Sequence, residues 1–251
     1  MANKGGDKPP PGLTGVQLLA SSGASCAVLS PAGTVTCWGD QAKNGTVVPP
    51  GLTGVTAIDV SYGFHVCAVD GSGKVVCWGD NAGGKATPPV GLAPAKAVAL
   101  ADGYSCVSLV AGGTVDCWGK NAIYPFSPPT GLAGVTALSA GLFHTCALKD
   151  DGSVVCWGGD NSMGEITVPA GLTDVVAIKS SYYSNCALKR SGELVCWGDP
   201  TTATVPPGFI PAGQKAIQLA TTDTTDTCVT LSSGVITCFG PDASTYPPPT
   251  C

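Results

Sequence analysis

The stretch Val66-Cys67-Ala68-Val69-Asp70-Gly71-Ser72-Gly73-Lys74-Val75-Val76-Cys77-Trp78-Gly79 decides the fold of this chain. Two short valine-rich runs flank a turn built of Asp, Gly, Ser and Gly, the pattern of an antiparallel hairpin. Glycine and aspartate supply the turn conformations, and alternate side chains of each run face opposite sides of a sheet. Upstream lies a further apolar run, Gly54-Val55-Thr56-Ala57-Ile58-Asp59-Val60, and downstream a weak fourth run around Lys85 to Pro88. Proline in that fourth run confines it to a sheet edge, because proline has no N–H to give to a ladder.

The unit recurs. Cys-Trp-Gly occurs with tryptophans at 38, 78, 118, 157 and 197, and a sixth copy reads Cys238-Phe239-Gly240. These aromatic residues stand 40, 40, 39, 40 and 42 positions apart. Six repeats, at about 12–50, 51–90, 91–130, 131–170, 171–207 and 208–250, follow a Pro-rich segment at 1–11. No stretch has a helical period long enough to compete. Forty residues per four-stranded unit is the size of a propeller blade. The expectation is an all-β chain: a single six-bladed β-propeller over 12–251, built of four-stranded antiparallel blades.

Twelve of the thirteen cysteines fall into pairs, one pair per repeat: Cys26/Cys37, Cys67/Cys77, Cys106/Cys117, Cys146/Cys156, Cys186/Cys196 and Cys228/Cys238. Each pair flanks the turn between the second and third runs. The pairs ten apart enclose a three-residue turn. Those eleven apart enclose an even-length turn, Ser30 to Gly33 or Val110 to Gly113, so the partners stay opposite. Directly opposed cysteines meet the distance a cross-strand disulfide requires. The competing readings are free cysteines serving as small core residues and, more remotely, zinc ligands; zinc lacks a Cys-x-x-Cys pair, and only two histidines are present. Six disulfides need an oxidising compartment, so the expected location is extracellular or the cell surface. Cys251 is left over. It pairs between molecules, stays a reactive thiol, or ends a piece of a longer chain.

Composition narrows the function. Charged residues make up 12% of the chain, against roughly 25% in an average soluble protein. The net charge of −5 offers no basic patch for nucleic acid. No window reaches the roughly 18 apolar residues of a membrane span, and the N-terminus holds no apolar run of signal-peptide type. The bases available near neutral pH are His65 and His144, both in Phe-His-x-Cys at equivalent repeat positions, which reads as architecture. Asp40, Asp80, Asp160 and Asp199, just past Trp-Gly or Trp-Gly-Gly, read as loop-fixing residues. No Ser-His-Asp grouping, phosphate loop or metal cluster is recognisable. The expectation is a protein that is not an enzyme and carries no cofactor.

Parity places Trp78, Val76 and Ala68 on one face of their sheet, and Cys77, Cys67, Val75 and Val69 on the other. The tryptophans are therefore expected between blades. The loops joining runs one to two and three to four share one end of each blade, and aromatic residues concentrate there: Tyr62, Phe64, Tyr104, Tyr124, Phe126, Phe143, Tyr182 and Tyr183. Aromatic side chains on loops of a rigid scaffold form a candidate binding surface. Inward tucking as loop anchors is the alternative for some of them.

The run Phe143-His144-Thr145-Cys146-Ala147-Leu148-Lys149-Asp150-Asp151-Gly152-Ser153-Val154-Val155-Cys156-Trp157-Gly158 resembles the repeat of the regulator of chromosome condensation superfamily. The match recurs through nearly the whole chain and is strongest in repeats two, four and five. The resemblance implies a propeller of four-stranded blades. The short repeat looks like that of bacterial propeller-type β-lactamase inhibitor proteins, and the paired cysteines look like the extracellular repeats of crinkly-type plant receptor kinases. The superfamily hosts unrelated functions, so its fold does not deliver one. The nucleotide-exchange founder uses a basic tail on chromatin that has no counterpart here. Repeats three and six depart from the pattern, with Phe239 for Trp and with Tyr104-Ser105 or Thr224-Thr225 at the usual His position.

Three functional expectations follow. The first is an extracellular structural or adhesive protein that assembles with copies of itself, even into filaments. Its motives are the low surface charge, Cys251, and the proline runs Pro9 to Pro11 and Pro247 to Pro249. The second is a monomeric binder or inhibitor of a protein partner, using the aromatic loops. The third is a lectin, with aromatic residues stacking on glycans. Asn44-Gly45-Thr46 is a sequon for N-glycosylation in a eukaryotic secretory route.

Overall fold

The computed structural model describes residues 8–39, 45–120, 126–159, 161–221 and 226–241. The expected Asp40, Asp160, Asn44, Tyr124, Thr224-Thr225, the C-terminal proline run and Cys251 lie outside the described residues.

Each repeat folds as a three-stranded antiparallel meander. Sheet one holds β1 (Val16–Ser22), β2 (Ala24–Leu29) and β3 (Thr34–Gly39); sheet two, β4 (Val55–Val60), β5 (His65–Asp70) and β6 (Val75–Gly79). Sheet three holds β7 (Ala95–Leu100), β8 (Tyr104–Leu109) and β9 (Val115–Gly119); sheet four, β10 (Val135–Ala140), β11 (His144–Lys149) and β12 (Val154–Gly158). Sheet five holds β13 (Val175–Ser180), β14 (Ser184–Lys189) and β15 (Leu194–Gly198); sheet six, β16 (Ala216–Thr221), β17 (Thr227–Leu231) and β18 (Ile236–Phe239). These six sheets are the blades of a β-propeller. The fourth strand does not form among the described residues: Lys85 to Pro88 is turn and irregular chain. Pro88 and Pro89 leave that segment without the N–H groups a ladder consumes.

Cysteines occupy directly opposed positions in every blade: Cys26 faces Cys37, Cys67 faces Cys77, Cys106 faces Cys117, Cys146 faces Cys156, Cys186 faces Cys196 and Cys228 faces Cys238. All six pairs are bonded. The turn lengths do what their parity requires. The first strand of each blade carries a register shift after its first residue, as between Val55 and Ala57 and between Val175 and Ala177. The extra residue of this β-bulge (Gln17, Thr56, Lys96, Thr136, Val176 or Ile217) is exposed.

The hairpin turn also fastens the next repeat. The Gly33 carbonyl accepts the N–H of Val55, Gly73 that of Ala95, Gly152 that of Val175, and Gly192 that of Ala216. Gly33 has a φ of 62°, and a Cβ there would meet the Val55 nitrogen at 2.6 Å, so no other residue fits.

The chain forms two compact units. Met1–Ile123 with Ser127–Ala133 contains sheets one to three; Tyr124–Phe126 with Gly134–Cys251 contains sheets four to six. In the first unit the disulfide face of sheet one (Ala20, Cys26, Val28) packs on Val60, Val66, Ala68 and Trp78 of sheet two. The disulfide face of sheet two (Cys67, Val69) packs on Val98, Leu100, Val107 and Trp118. The second unit repeats the arrangement: Cys146, Leu148 and Val154 meet Ile178, Ala187 and Trp197, while Cys186, Leu188 and Leu194 meet Leu219, Val229 and Phe239. Trp78, Trp118, Trp197 and Phe239 are thus core between blades. Fully burying an aliphatic side chain is worth about 1.5–3 kcal/mol, so these stacks rather than the short sheets hold each unit together.

Candidate binding surface

Four of the five indoles tie two repeats. The Nε1–H of Trp78 donates to the Gly45 carbonyl (2.9 Å), that of Trp118 to Lys85 (2.9 Å), that of Trp157 to Phe126 (3.0 Å) and that of Trp197 to Glu165 (3.1 Å). In two places the same carbonyl takes a second donor. Ser105 Oγ donates to the Lys85 carbonyl at 2.8 Å, and Asn185 Nδ2 to the Glu165 carbonyl at 2.7 Å. Both second donors also meet a histidine of the preceding blade. His65 Nε2 lies 2.9 Å from Ser105 Oγ while its Nδ1 lies 2.5 Å from Ser61 Oγ, and His144 Nε2 lies 2.8 Å from Asn185 Oδ1. His65 and His144 are buried. Burial, aided by the nearby Lys85 charge, lowers His65 to about 3, and burial lowers His144. Both are neutral structural imidazoles, committed to hydrogen bonds within the fold.

Two buried charges brace the loops, and the sequence reading missed both. Lys85 is 4% exposed; its Nζ donates to the carbonyls of Gly63 and Asp102, both at 2.9 Å, and pairs with Asp80 at 3.0 Å. One ammonium thereby joins the β4–β5 loop, the β7–β8 loop and the segment after β6. Glu165, 1% exposed, accepts from the backbone N–H groups of Asn161 (3.1 Å) and Met163 (3.2 Å). The available signal was their shared place after Gly84 or Gly164, in a chain with few charges. Asp199 fixes its loop as expected of that series, accepting from Thr201 N and Oγ1 at the start of the single helical turn α1 (Pro200–Ala203).

The expected aromatic residues divide. Tyr62 is half-buried in the β4–β5 loop, where it lines a cavity of about 530 Å³ with Phe64, Asp80, Gly83, Asp102 and Lys120. Phe64, at φ 58°, lays its ring across Gly23 of the preceding repeat, so it anchors a loop as well as lining the cavity. In the second unit, Tyr182 (37% exposed) and Tyr183 sit edge to face at 4.8 Å in the β13–β14 loop. The Tyr182 carbonyl accepts the N–H of Leu142, beside half-buried Phe143 in the β10–β11 loop. Half-buried Phe126 presents its carbonyl to Trp157. Tyr104 is corrected: it is fully buried as the first residue of β8 and presents nothing to a ligand. It stands two residues before Cys106, the slot that His65 and His144 fill before their own cysteines, and that slot points into the fold.

Among the described residues, no group of three or more His, Cys, Asp or Glu could hold a metal ion, and no helix is long and apolar enough to cross a membrane.

The regulator of chromosome condensation (RCC1) repeat model matches residues 55–84, 135–165 and 175–201. No curated protein matches the sequence. Among solved structures, the CRINKLY WD40 ectodomain of the Arabidopsis thaliana receptor kinase ACR4 superposes with a TM-score of 0.72 at 22% identity, over 90% of this chain and 80% of that one. The entire ectodomain of the Physcomitrella patens receptor kinase CR4 gives 0.71 at 23% identity, over 95% of this chain and 64% of that one. Prp20p of Saccharomyces cerevisiae, described with its binding to Gsp1p and histones, gives 0.69 at 16% identity, over 88% and 71%. At these identities the likeness is one of fold.

Proposed function

Since the chain is a β-propeller of regulator of chromosome condensation repeats, we propose that it works outside the reducing cytosol as a non-enzymatic protein-interaction module. The observation that carries this reading is a bonded cysteine pair in every blade, a set that persists in oxidising compartments. Each unit offers its own contact loops: Tyr62 and Phe64 in the first, on a loop tied by Lys85, and Phe143, Tyr182 and Tyr183 in the second. Pre-braced loops lose little freedom on binding, which favours affinity. The histidines support a non-catalytic role, being neutral and engaged inside the fold.

Two measurements test the reading. Native protein prepared without reductant should be twelve hydrogens lighter than its reduced form, two for each of six bonds. A dozen alkylatable thiols would remove the extracellular assignment. A photo-crosslinking residue in place of Tyr62 or Tyr182, in the native setting, should trap a protein partner. The same group in place of exposed Ser233, in the β17–β18 turn, should not. Equal trapping at both ends rejects the loop surface.

A further inference from the structure

The two units close the same joint between neighbouring loops in different ways. In the second unit the β10–β11 and β13–β14 loops meet directly, the Leu142 N–H donating to the Tyr182 carbonyl at 3.2 Å. Counted back from their cysteines, Gly63 stands where that unit has Leu142, Asp102 where it has Tyr182, and Gly103 where it has Tyr183. In the first unit Lys85 Nζ holds the Gly63 and Asp102 carbonyls instead, each at 2.9 Å. The smaller residues leave open the cavity of about 530 Å³ that Tyr62 shares with Asp80, Gly83, Asp102 and Lys120. That size falls within the roughly 300–1,000 Å³ of small-molecule sites. All of its lining belongs to the first unit.

The lining carries two carboxylates, Asp80 and Asp102, and two ammonium groups, Lys85 and Lys120, so its formal charge is zero. Half of that charge is engaged, since Lys85 pairs with Asp80 at 3.0 Å. Among the described residues, the Asp102 carboxylate and the Lys120 ammonium have no hydrogen-bond or ion-pair partner, and they do not pair with each other. They stand on different walls. Asp102 Oδ1 lies over Gly63, 3.0 Å from where a Cβ would be, while the Lys120 Cβ lies 2.9 Å from the corresponding point on Gly83. The Lys120 N–H donates to the Gly103 carbonyl at 3.0 Å, so both residues are fixed at the backbone and open to a ligand at the tip.

We propose that this cavity binds one neutral sugar residue, its hydroxyls bridging Asp102 and Lys120 and its C–H face resting on Tyr62. A ligand of either charge is attracted by one of the unpaired groups and repelled by the other, so neutrality is favoured. The ligand must donate to a carboxylate and accept from an ammonium, and a hydroxyl does both. Hydrogen bonds to ionised partners are the stronger kind. An uncharged side chain of a partner protein brings one such group. A pyranose ring brings several, spread around a frame of C–H bonds that suits the apolar body of a tyrosine. Because Lys85 already ties the loops, little freedom is lost on binding. The site is a property of the first unit and stands whether or not the aromatic loops capture a protein.

The test is saturation-transfer NMR on the oxidised full-length chain with the methyl glycosides of glucose, galactose, mannose and N-acetylglucosamine at millimolar concentration. Glucuronic acid, glucosamine and alanine serve as anionic, cationic and zwitterionic counterparts. At least one neutral glycoside should bind, and more tightly than all three counterparts. Asp102→Ala and Lys120→Ala should each weaken it tenfold or more while keeping the six disulfides and the thermal midpoint of the parent. Lys74→Ala, an exposed lysine in the β5–β6 turn, should leave binding unchanged. Capture of a glycoprotein bearing the same sugar, abolished by enzymatic removal of its glycans, assigns the source to protein-borne glycan; binding of the glycoside alone assigns it to free saccharide. Overturning results are no binding by any neutral glycoside, tighter binding of a charged or zwitterionic probe, or undiminished binding in either cavity variant. Glycoprotein capture that survives deglycosylation but not Asp102→Ala would place a protein side chain in the cavity and overturn the proposal as well.

Discussion

At the scale of single residues, this propeller places its few ionisable groups where they are structural. His65 and His144 fold neutral, because burial lowers both. The unfolded chain takes up protons on them below about pH 6.5, while folded His65 does so only near about 3 and burial holds folded His144 below the ordinary imidazole range. Their contribution is therefore complete above pH 6.5 and is lost as pH falls from there, by up to about 1.4 kcal/mol per pH unit for each histidine. Urea midpoints between pH 8 and 4, compared with His65→Gln, should show the steeper acid loss in the parent protein. Lys85→Ala should cost about 3 kcal/mol, since it leaves Asp80 without its ion pair and two carbonyls without their donor. Gly63→Ala should act on the same junction, because a Cβ there would collide with the Asp102 carbonyl oxygen and Lys85 Nζ. A lowered thermal midpoint for both, with the six disulfides intact, is the expected outcome.

At the scale of elements, the indole bonds separate the tryptophans. Trp118→Phe should lose about 1 kcal/mol beyond its packing change, because it removes a donor from the Lys85 carbonyl. Trp38→Phe should escape that loss, since its N–H has no acceptor to lose. Chemical denaturation of the two variants measures the difference. Much at this scale could be read from spacing. The distance of ten or eleven between cysteines, matched to turn length, fixed the hairpin register, and side-chain parity placed Trp78 opposite in sense to Cys77. The bulge after the first residue of each blade left no trace, because Thr56, Lys96, Thr136, Val176 and Ile217 are ordinary strand residues without the glycine that marks many bulges. Lys85 and Glu165 are hidden for a different reason: a charged loop residue is solvated by default, and nothing in the sequence shows that Lys85 will be met by Gly63, Asp80 and Asp102, or Glu165 by the N–H groups of Asn161 and Met163. Tyr104 follows Asp102-Gly103 and so reads as a loop aromatic, yet counted back from Cys106 it falls on the inward histidine slot. The fourth strand fails although the repeat is long enough for it, because Pro88 and Pro89 bring no N–H groups to a ladder.

At the scale of the whole molecule, covalent closure and surface chemistry act together. A disulfide closing ten residues contributes about 2.7 kcal/mol in the chain-entropy model, so Cys67→Ala with Cys77→Ala should lower stability by that order. The bonds should not be equally resistant to reductant. Both sulfurs of Cys228–Cys238 belong to half-buried residues, while the other five pairs each bury their first cysteine. Timed reduction followed by alkylation and peptide mapping should find Cys228 and Cys238 labelled first.

The backbone oxygens of Lys85 and Glu165 have a further consequence. Each serves a tryptophan and a neighbouring polar side chain, yet the Lys85 ammonium reaches the carbonyls of Gly63 and Asp102 on other loops, while the Glu165 carboxylate is held by N–H groups of its own segment. Stacking of the blades reads only the peptide group at that position, which leaves the side chain there to brace the surrounding loops. Either sign of charge can accordingly serve at the rim, provided the neighbouring loops supply its partners, while the joint between blades stays the same.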